Sequence, residues 1–263
     1  MGFETTNEMV KYALIGDVHS QDGPLSDALE FCNANGLTPV LLGDIFDSRC
    51  ETGNALKVYN ILKEAQSNFR NLVILRSNHQ SKLERYLKGN PVNVTPDLEG
   101  TLEDFAGNPN MNLGEEVLPW LLSFPFGFVF KDSKGKEYRC AHAYFPTRLE
   151  IPKYAQFHKV FKATRKERDL MMYGLRKKSE GADNGPERVT WWLNDKDPHP
   201  QIDSTPPREW VRVAGHYHSV FLGEKSLILD GDMGGRSGEK VAPEDMALCL
   251  YDVESESLHK FKV

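Results

Sequence analysis

Five short stretches put Asp, Asn or His straight after an apolar run: GDVH (16–19), GDIFD (43–47), SNH (77–79), CAHA (140–143) and GHYH (215–218). Singly, each has an ordinary explanation. A Gly-Asp pair after a strand usually marks a turn, and an isolated His more often packs than ligates. Five in succession are hard to explain as turns, and the chemistry they share is metal binding. Asp17 and His19 lie two residues apart, so an extended segment could turn both toward one cation, because side chains alternate with period two. Asp44 could bridge two cations with its two oxygens. Asn78 offers a neutral carbonyl oxygen, and His142, His216 and His218 offer imidazole nitrogens. A mixed N and O set without thiolate suits Mn, Fe, Zn or Ni better than Ca or a zinc finger. Two such ions roughly 3.5–4 Å apart form the usual site for phosphoester displacement, lowering the pKa of a bridging water and polarising the phosphoryl oxygens.

Elements able to present these residues are legible along the chain. YALIG (12–16), TPVLLG (38–43) and NLVIL (71–75) read as short buried strands. Between them, PLSDALEFCNANG (24–36) has Pro at a helix start and Gly at its end, with Leu25, Ala28, Leu29 and Cys32 on one face. NALKVYNILKEAQSN (54–68) repeats the helical spacing through Leu56, Tyr59 and Leu62. A βαβαβ order implies parallel strands joined by crossover helices, and ligands gather at the carboxyl ends of such strands. Residues 91–116 read as a loop-rich insertion with one short helix at most. Residues 124–142 read as a hairpin turning at KDSKGK. WVRVAG (210–215), SLILDG (226–231), MALCLYD (246–252) and LHKFKV (258–263) predict closing strands. One domain is expected over 1–263, with a variable region near 143–209.

Bulk composition excludes several classes. The 263 residues are 40% hydrophobic and 27% charged, which is globular rather than disordered. A net charge of -6 argues against a generic nucleic-acid binder. Residues 153–178 nonetheless carry nine basic and two acidic side chains. Within them, YAQFHKVFKATRKERDL (154–170) predicts an amphipathic helix with Phe157, Val160, Phe161 and Thr164 inward. A solvated helix face is the plain reading, and guidance of an anionic substrate, nucleotide or nucleic acid the sharper one. The four cysteines form no CxxC pair, so a reduced cytoplasmic setting is expected. The acidic N-terminus lacks a signal-peptide n-region, and the most apolar window, 118–130, is too short to span a bilayer. His158, His199 and His259 are expected at the surface, Trp191 and Trp192 in packing, and Asp230 and Asp232 in a turn beside the site rather than among the ligands.

The five blocks resemble the signature blocks of the calcineurin-like metallophosphoesterases: GDxH, GDxxD, GNH, H and GHxH. That resemblance implies an α/β sandwich of two mixed β-sheets flanked by helices, with a dimetal site at the strand ends. It implies that Asp17, His19, Asp44 and His218 hold one ion and Asp44, Asn78, His142 and His216 the other, most simply two manganese ions. Finer likeness is to the serine/threonine protein phosphatase branch, especially its small phage and bacterial members, through LRSNH and CAHAYFP. SNHQSKLERYLKG, MMYG and LDGDMGG also resemble the phosphatase domain of bacterial polynucleotide kinase-phosphatase. In that family the second Asp of GDxxD orients the His of the Asn-His pair, which implies an Asp47–His79 dyad. A carboxylate partner stabilises an imidazolium, which could donate to the leaving alkoxide. Arg76, Arg49 and Asn78 are the expected phosphate-binding residues, since a guanidinium fork can hold two phosphate oxygens. The implied function is phosphomonoester hydrolysis by in-line attack of a metal-bound water on a phosphorylated small molecule, nucleotide or phosphoprotein. Alternatives are a nucleotide or RNA-end phosphoesterase, such as a diadenosine tetraphosphatase or 2′,3′-cyclic phosphodiesterase, and a metal-free interaction scaffold. The sequence departs from the pattern at Ser77, at Gln80 and in GDIFDSRC, where the arginine is displaced by one residue.

Overall fold

The structure, a computed structural model, describes residues 10–47, 53–146, 149–151, 157–174, 209–231 and 246–262. Its first half follows the expected alternation. β1 (Tyr12–Ile15), α1 (Asp22–Ala34), β2 (Thr38–Leu41), α2 (Ala55–Asn68) and β3 (Val73–Ile74) form two crossover units, and β1, β2 and β3 pair in parallel. β10 (Ala247–Asp252) and β11 (Ser257–Lys262) add antiparallel strands, giving the order β11-β10-β1-β2-β3.

A second sheet has six strands. The hairpin β4 (Gly127–Lys131) and β5 (Glu137–Ala141) forms as expected. β6 (Phe157–Val160), β7 (Trp210–Ala214), β8 (Val220–Leu222) and β9 (Ser226–Leu229) complete the order β6-β4-β5-β7-β9-β8, in which β5, β7 and β9 are parallel. The alternation of side chains in β1 builds the layers. Tyr12 and Leu14 join Val40, Phe128, Phe130, Tyr138, Val213 and Leu229 in a core shared by both sheets. Ala13 and Ile15 point the other way and pack under α1 and α2 with Leu25, Leu29, Val58 and Leu62. The architecture is therefore a sandwich of two mixed sheets flanked by helices.

Between β3 and β4 the chain is more helical than its composition suggested. α3 (Asn78–Leu87) begins directly at the SNH block, α4 (Pro96–Ala106) occupies the insertion, and a π-helical turn, Leu113–Val117, leads into α5 (Leu118–Leu122). α4 starts with Thr95 and Pro96 and has Asp97 and Glu99 in its first turn, which suits the positive end of the helix dipole.

The predicted amphipathic helix over 154–170 is corrected. Phe157–Val160 is a strand, paired residue for residue with β4 (Phe130 with Phe157, Val129 with His158). A helix, α6 (Arg165–Tyr173), begins only after Thr164, whose Oγ1 accepts from Glu167 N at 3.3 Å while Glu167 Oε2 accepts from Thr164 N at 2.7 Å. That capping box sets the boundary and overrides the helical spacing upstream. Phe157 and Phe161 are 41% and 53% exposed rather than inward. Among the described residues no helix is long and apolar enough to cross a membrane, and Cys32, Cys140 and Cys249 are buried free thiols.

Candidate metal centre

The five blocks follow β1, β2, β3, β5 and β7 at their carboxyl ends, and backbone hydrogen bonds lace the turns together. Val18 N and His19 N donate to Asp44 O at 3.1 and 2.8 Å, and Gly215 N donates to His142 O at 2.9 Å. Seven described non-glycine residues have positive φ, and six of them are His19, Ser20, Asp44, Asp47, His216 and His218. Each such backbone costs on the order of 1 kcal/mol, and such strain concentrates where side chains must be aimed.

What the turns aim is a buried cluster. Asp17, His19, Asp44, Asp47, His142 and His216 are each 4% exposed or less. Two groups of potential ligand atoms each lie within 4.8 Å of one another: Asp17, His19 and Asp44 in one, Asp44, His142 and His216 in the other. Asp44 belongs to both. His142 Nε2 lies 3.4 Å and His19 Nε2 3.7 Å from Asp44 Oδ2, spacings that a shared ion could span. Asn78 Oδ1 and His216 Nδ1 lie 2.8 and 3.0 Å from His142 Nε2, which brings Asn78 into the second group.

The donor set fits a divalent cation on three counts. A carbonyl oxygen only accepts, so His19 Nδ1–H must donate to Asp47 O (2.8 Å) and His142 Nδ1–H to Leu42 O (3.0 Å). With Nδ1 so engaged, each ring presents Nε2 toward Asp44, the nitrogen a metal ligand would use. Asp17 Oδ2 accepts from His216 N at 2.9 Å, while Asp17 Oδ1 is buried with no hydrogen-bond partner among the described residues. The charges also call for a cation. Burial, then the Asp230 and Asp44 carboxylates, push the Asp17 carboxyl well above the usual range. Burial would raise Asp44 too, but the His142, His79 and His19 imidazoles outweigh it and hold that carboxyl well below the usual range. An uncompensated buried charge costs about 3–5 kcal/mol, which a shared divalent ion would offset.

Glycine is required at two points. A Cβ on Gly215 would lie 1.9 Å from Asp17 Oδ1, and one on Gly43 (φ +116°) would lie 2.9 Å from His142 Nδ1. These two turns approach the ligands too closely for any side chain.

His79 stands beside this cluster. Its Nδ1 is 2.8 Å from Asp47 Oδ2, its Nε2 is 3.8 Å from Asp44 Oδ2, and its backbone N–H points at Asp44 Oδ1 at 3.4 Å. Ser77 is the N-cap of α3, its Oγ accepting from Gln80 N at 3.4 Å, so Asn78 and His79 occupy the first turn of a helix. That accounts for the departure at Ser77; Gln80 is buried and turns its Nε2 toward Leu75 O at 3.5 Å. A residue that sequence reasoning missed completes the arrangement. Thr101 of α4 donates from Oγ1 to Asp47 Oδ1 at 2.9 Å and accepts from Asp47 N at 3.1 Å. No sequence pattern links it to Asp47, 54 residues away.

Two other expected residues stand outside the ligand groups. Arg76 is 13% exposed, its Nη2 3.2 Å from Glu84 and its guanidinium 4.9 Å above the Phe126 ring, with Arg168 of α6 at 5.7 Å from the same ring. His218 joins neither ligand group among the described residues. Its N–H donates to Asp230 Oδ2 at 2.7 Å, and Asp230 is buried against Asp17. Arg49, Trp191, Trp192, His199 and Asp232 lie outside the described residues.

No family model matches the chain, and no curated protein matches it in sequence. A solved structure shares its fold. A candidate diadenosine tetraphosphatase superimposes over 97% of this chain and 95% of its own, with a TM-score of 0.55 at 13% identity. The two chains share a fold. A metallophosphoesterase from Sphaerobacter thermophilus (TM-score 0.45, 14% identity, 97% of this chain and 88% of that one) is a further structural neighbour. Another is a protein serine/threonine phosphatase from Saccharomyces cerevisiae (TM-score 0.47, 11% identity, 98% and 82%). In this chain the Asp and His side chains converge at the carboxyl ends of parallel strands from both sheets.

Proposed function

We propose that the chain is a dimetal phosphoesterase that hydrolyses phosphomonoesters. The observation that carries this reading is Asp44, a single buried carboxylate common to two ligand groups, with the His79–Asp47 pair beside it. Asp17, His19 and Asp44 would hold one ion, with His218 as a further candidate ligand. Asp44, Asn78, His142 and His216 would hold the other, and manganese is the first metal to try. When bound, two such ions supply Lewis acidity to the phosphoryl oxygens and an activated water at neutral pH.

The chain's own residues do the rest. A water oxygen attacks phosphorus in line with the ester oxygen, the new P–O bond forms as the P–O ester bond breaks, and the alkoxide leaves. His79 gives that alkoxide a proton from Nε2, the nitrogen opposite the one Asp47 holds, and Asp47 stabilises the imidazolium before transfer. Asn78, at the start of α3, orients a phosphoryl oxygen near the positive helix end. Arg76 is proposed as a phosphate ligand, with Glu84 and Phe126 holding its guanidinium steady. Arg49 is proposed for the same role on its sequence position alone.

The basic residues of α6, Arg165, Lys166 and Arg168, favour a second reading in which the phosphoester belongs to a nucleotide or a nucleic-acid end. One assay separates the readings. With Mn²⁺, p-nitrophenyl phosphate or a phosphopeptide is expected to turn over faster than bis(p-nitrophenyl) phosphate, diadenosine tetraphosphate or 2′,3′-cyclic AMP. Preference for the last two would favour the nucleotide reading, and no turnover of any substrate with metal bound would remove the hydrolase.

A further inference from the structure

We infer that Thr101 is the positioning residue of the proton donor, holding Asp47 so that Asp47 can hold His79. The inference rests on the phosphoesterase reading above. Among the described residues, Asp47 divides its carboxylate between two partners, Oδ2 at 2.8 Å from His79 Nδ1 and Oδ1 accepting from Thr101 Oγ1 at 2.9 Å. The same hydroxyl accepts from Asp47 N at 3.1 Å. A hydroxyl has one donor and two acceptor sites, so a single side chain makes both bonds at once and closes a ring around Asp47. Asp47 needs such a clasp. It is fully buried, and its φ of +66° is a backbone that a non-glycine residue keeps only when its surroundings fix it.

The setting of Thr101 points the same way. It is 2% exposed and lies on the face of α4 that buries Leu98 and Phe105. On that apolar face a valine would pack equally well, so burial alone does not call for the hydroxyl. A threonine inside a helix could bond back to a carbonyl of its own helix, but this one bonds across to Asp47. Threonine is also stiff at χ1, which fixes the direction of its oxygen. α4 has a second anchor independent of Thr101: Asp104 accepts from Asn54 Nδ2 at 3.0 Å and from Ala55 N at 2.7 Å, at the start of α2. Removing the Thr101 hydroxyl should therefore leave the helix docked and release only Asp47.

The test compares Thr101→Val, which keeps the shape, with Thr101→Ser, which keeps the hydroxyl, on two esters. Phenyl phosphate has a poor leaving group and needs the proton, whereas p-nitrophenyl phosphate needs it less. Thr101→Val is expected to lower kcat on phenyl phosphate by about 10- to 100-fold, part of what a general acid contributes, with a smaller loss on p-nitrophenyl phosphate and KM little changed. Thr101→Ser should restore most of the activity. In a crystal structure of Thr101→Val the Asp47–His79 contact should be lengthened or reoriented. Unchanged Asp47–His79 geometry in that crystal, wild-type kcat on phenyl phosphate, or equal losses in both variants or on both esters would overturn the inference. A wild-type chain that hydrolyses neither ester would instead remove the phosphoesterase reading, and the crystal structure alone would then decide whether Thr101 positions the pair.

Discussion

Asp44→Asn is expected to lose metal and activity together. The side chain keeps its size, so the fold should survive, but the negative charge and one oxygen disappear from the point where both ligand groups meet. Asp44 is also where three imidazoles converge, with Nε2 atoms of His142, His19 and His79 at 3.4, 3.7 and 3.8 Å from Oδ2. An amide there cannot balance two divalent ions, and its NH₂ group would face cations or imidazole lone pairs. Metal content, measured by inductively coupled plasma mass spectrometry after gel filtration, should fall from two ions per chain to one or fewer. Turnover of p-nitrophenyl phosphate should fall by roughly 10³-fold or more, several kcal/mol of transition-state stabilisation at 1.36 kcal/mol per decade. A variant that keeps two ions and near wild-type kcat would show that Asp44 does not bridge.

His79→Ala should separate chemistry from metal binding. As the proposed general acid, His79 donates a proton and ligates nothing, since Nδ1 is taken by Asp47 and His79 is absent from both ligand groups. Its loss should cut kcat by roughly 10²–10⁴-fold, the usual range for a general acid. Metal content should stay near the wild-type value. The deficit should be larger for phenyl phosphate than for p-nitrophenyl phosphate, because a better leaving group departs without help. Loss of metal in this variant would mean that His79 is a ligand, and an equal loss on both esters would mean that it binds the phosphoryl group rather than the leaving oxygen.

The residues of the centre were legible in the sequence because each follows a short apolar strand, and parallel strands bring such positions together. Asp17, His19, Asp44, Asn78, His142 and His216 meet as their order along the chain suggested. The helices after β3 were harder to read. α3 is polar, with Leu83 its one buried apolar side chain, and the signal that marks its start is Ser77, whose Oγ caps it by accepting from Gln80 N. The 154–170 stretch failed in the opposite direction. Its apolar spacing mimicked a helix, while Thr164 and Glu167 marked the true start and pairing with β4 claimed Phe157 to Val160 as a strand. Thr101 was invisible because its role depends on one long-range contact with Asp47, and no local pattern records such a contact. Arg76 shows a related limit: its position after β3 suggested phosphate, but only the folded chain reveals the Glu84 and Phe126 contacts that hold it.

The two-ion centre is the claim on which the rest depends, and anomalous diffraction from crystals grown with Mn²⁺ tests it most directly. The predicted result is two anomalous peaks roughly 3.5–4 Å apart, one beside Asp17 and His19, the other beside Asn78, His142 and His216, with Asp44 between them. A single peak, or none at saturating Mn²⁺, would contradict it.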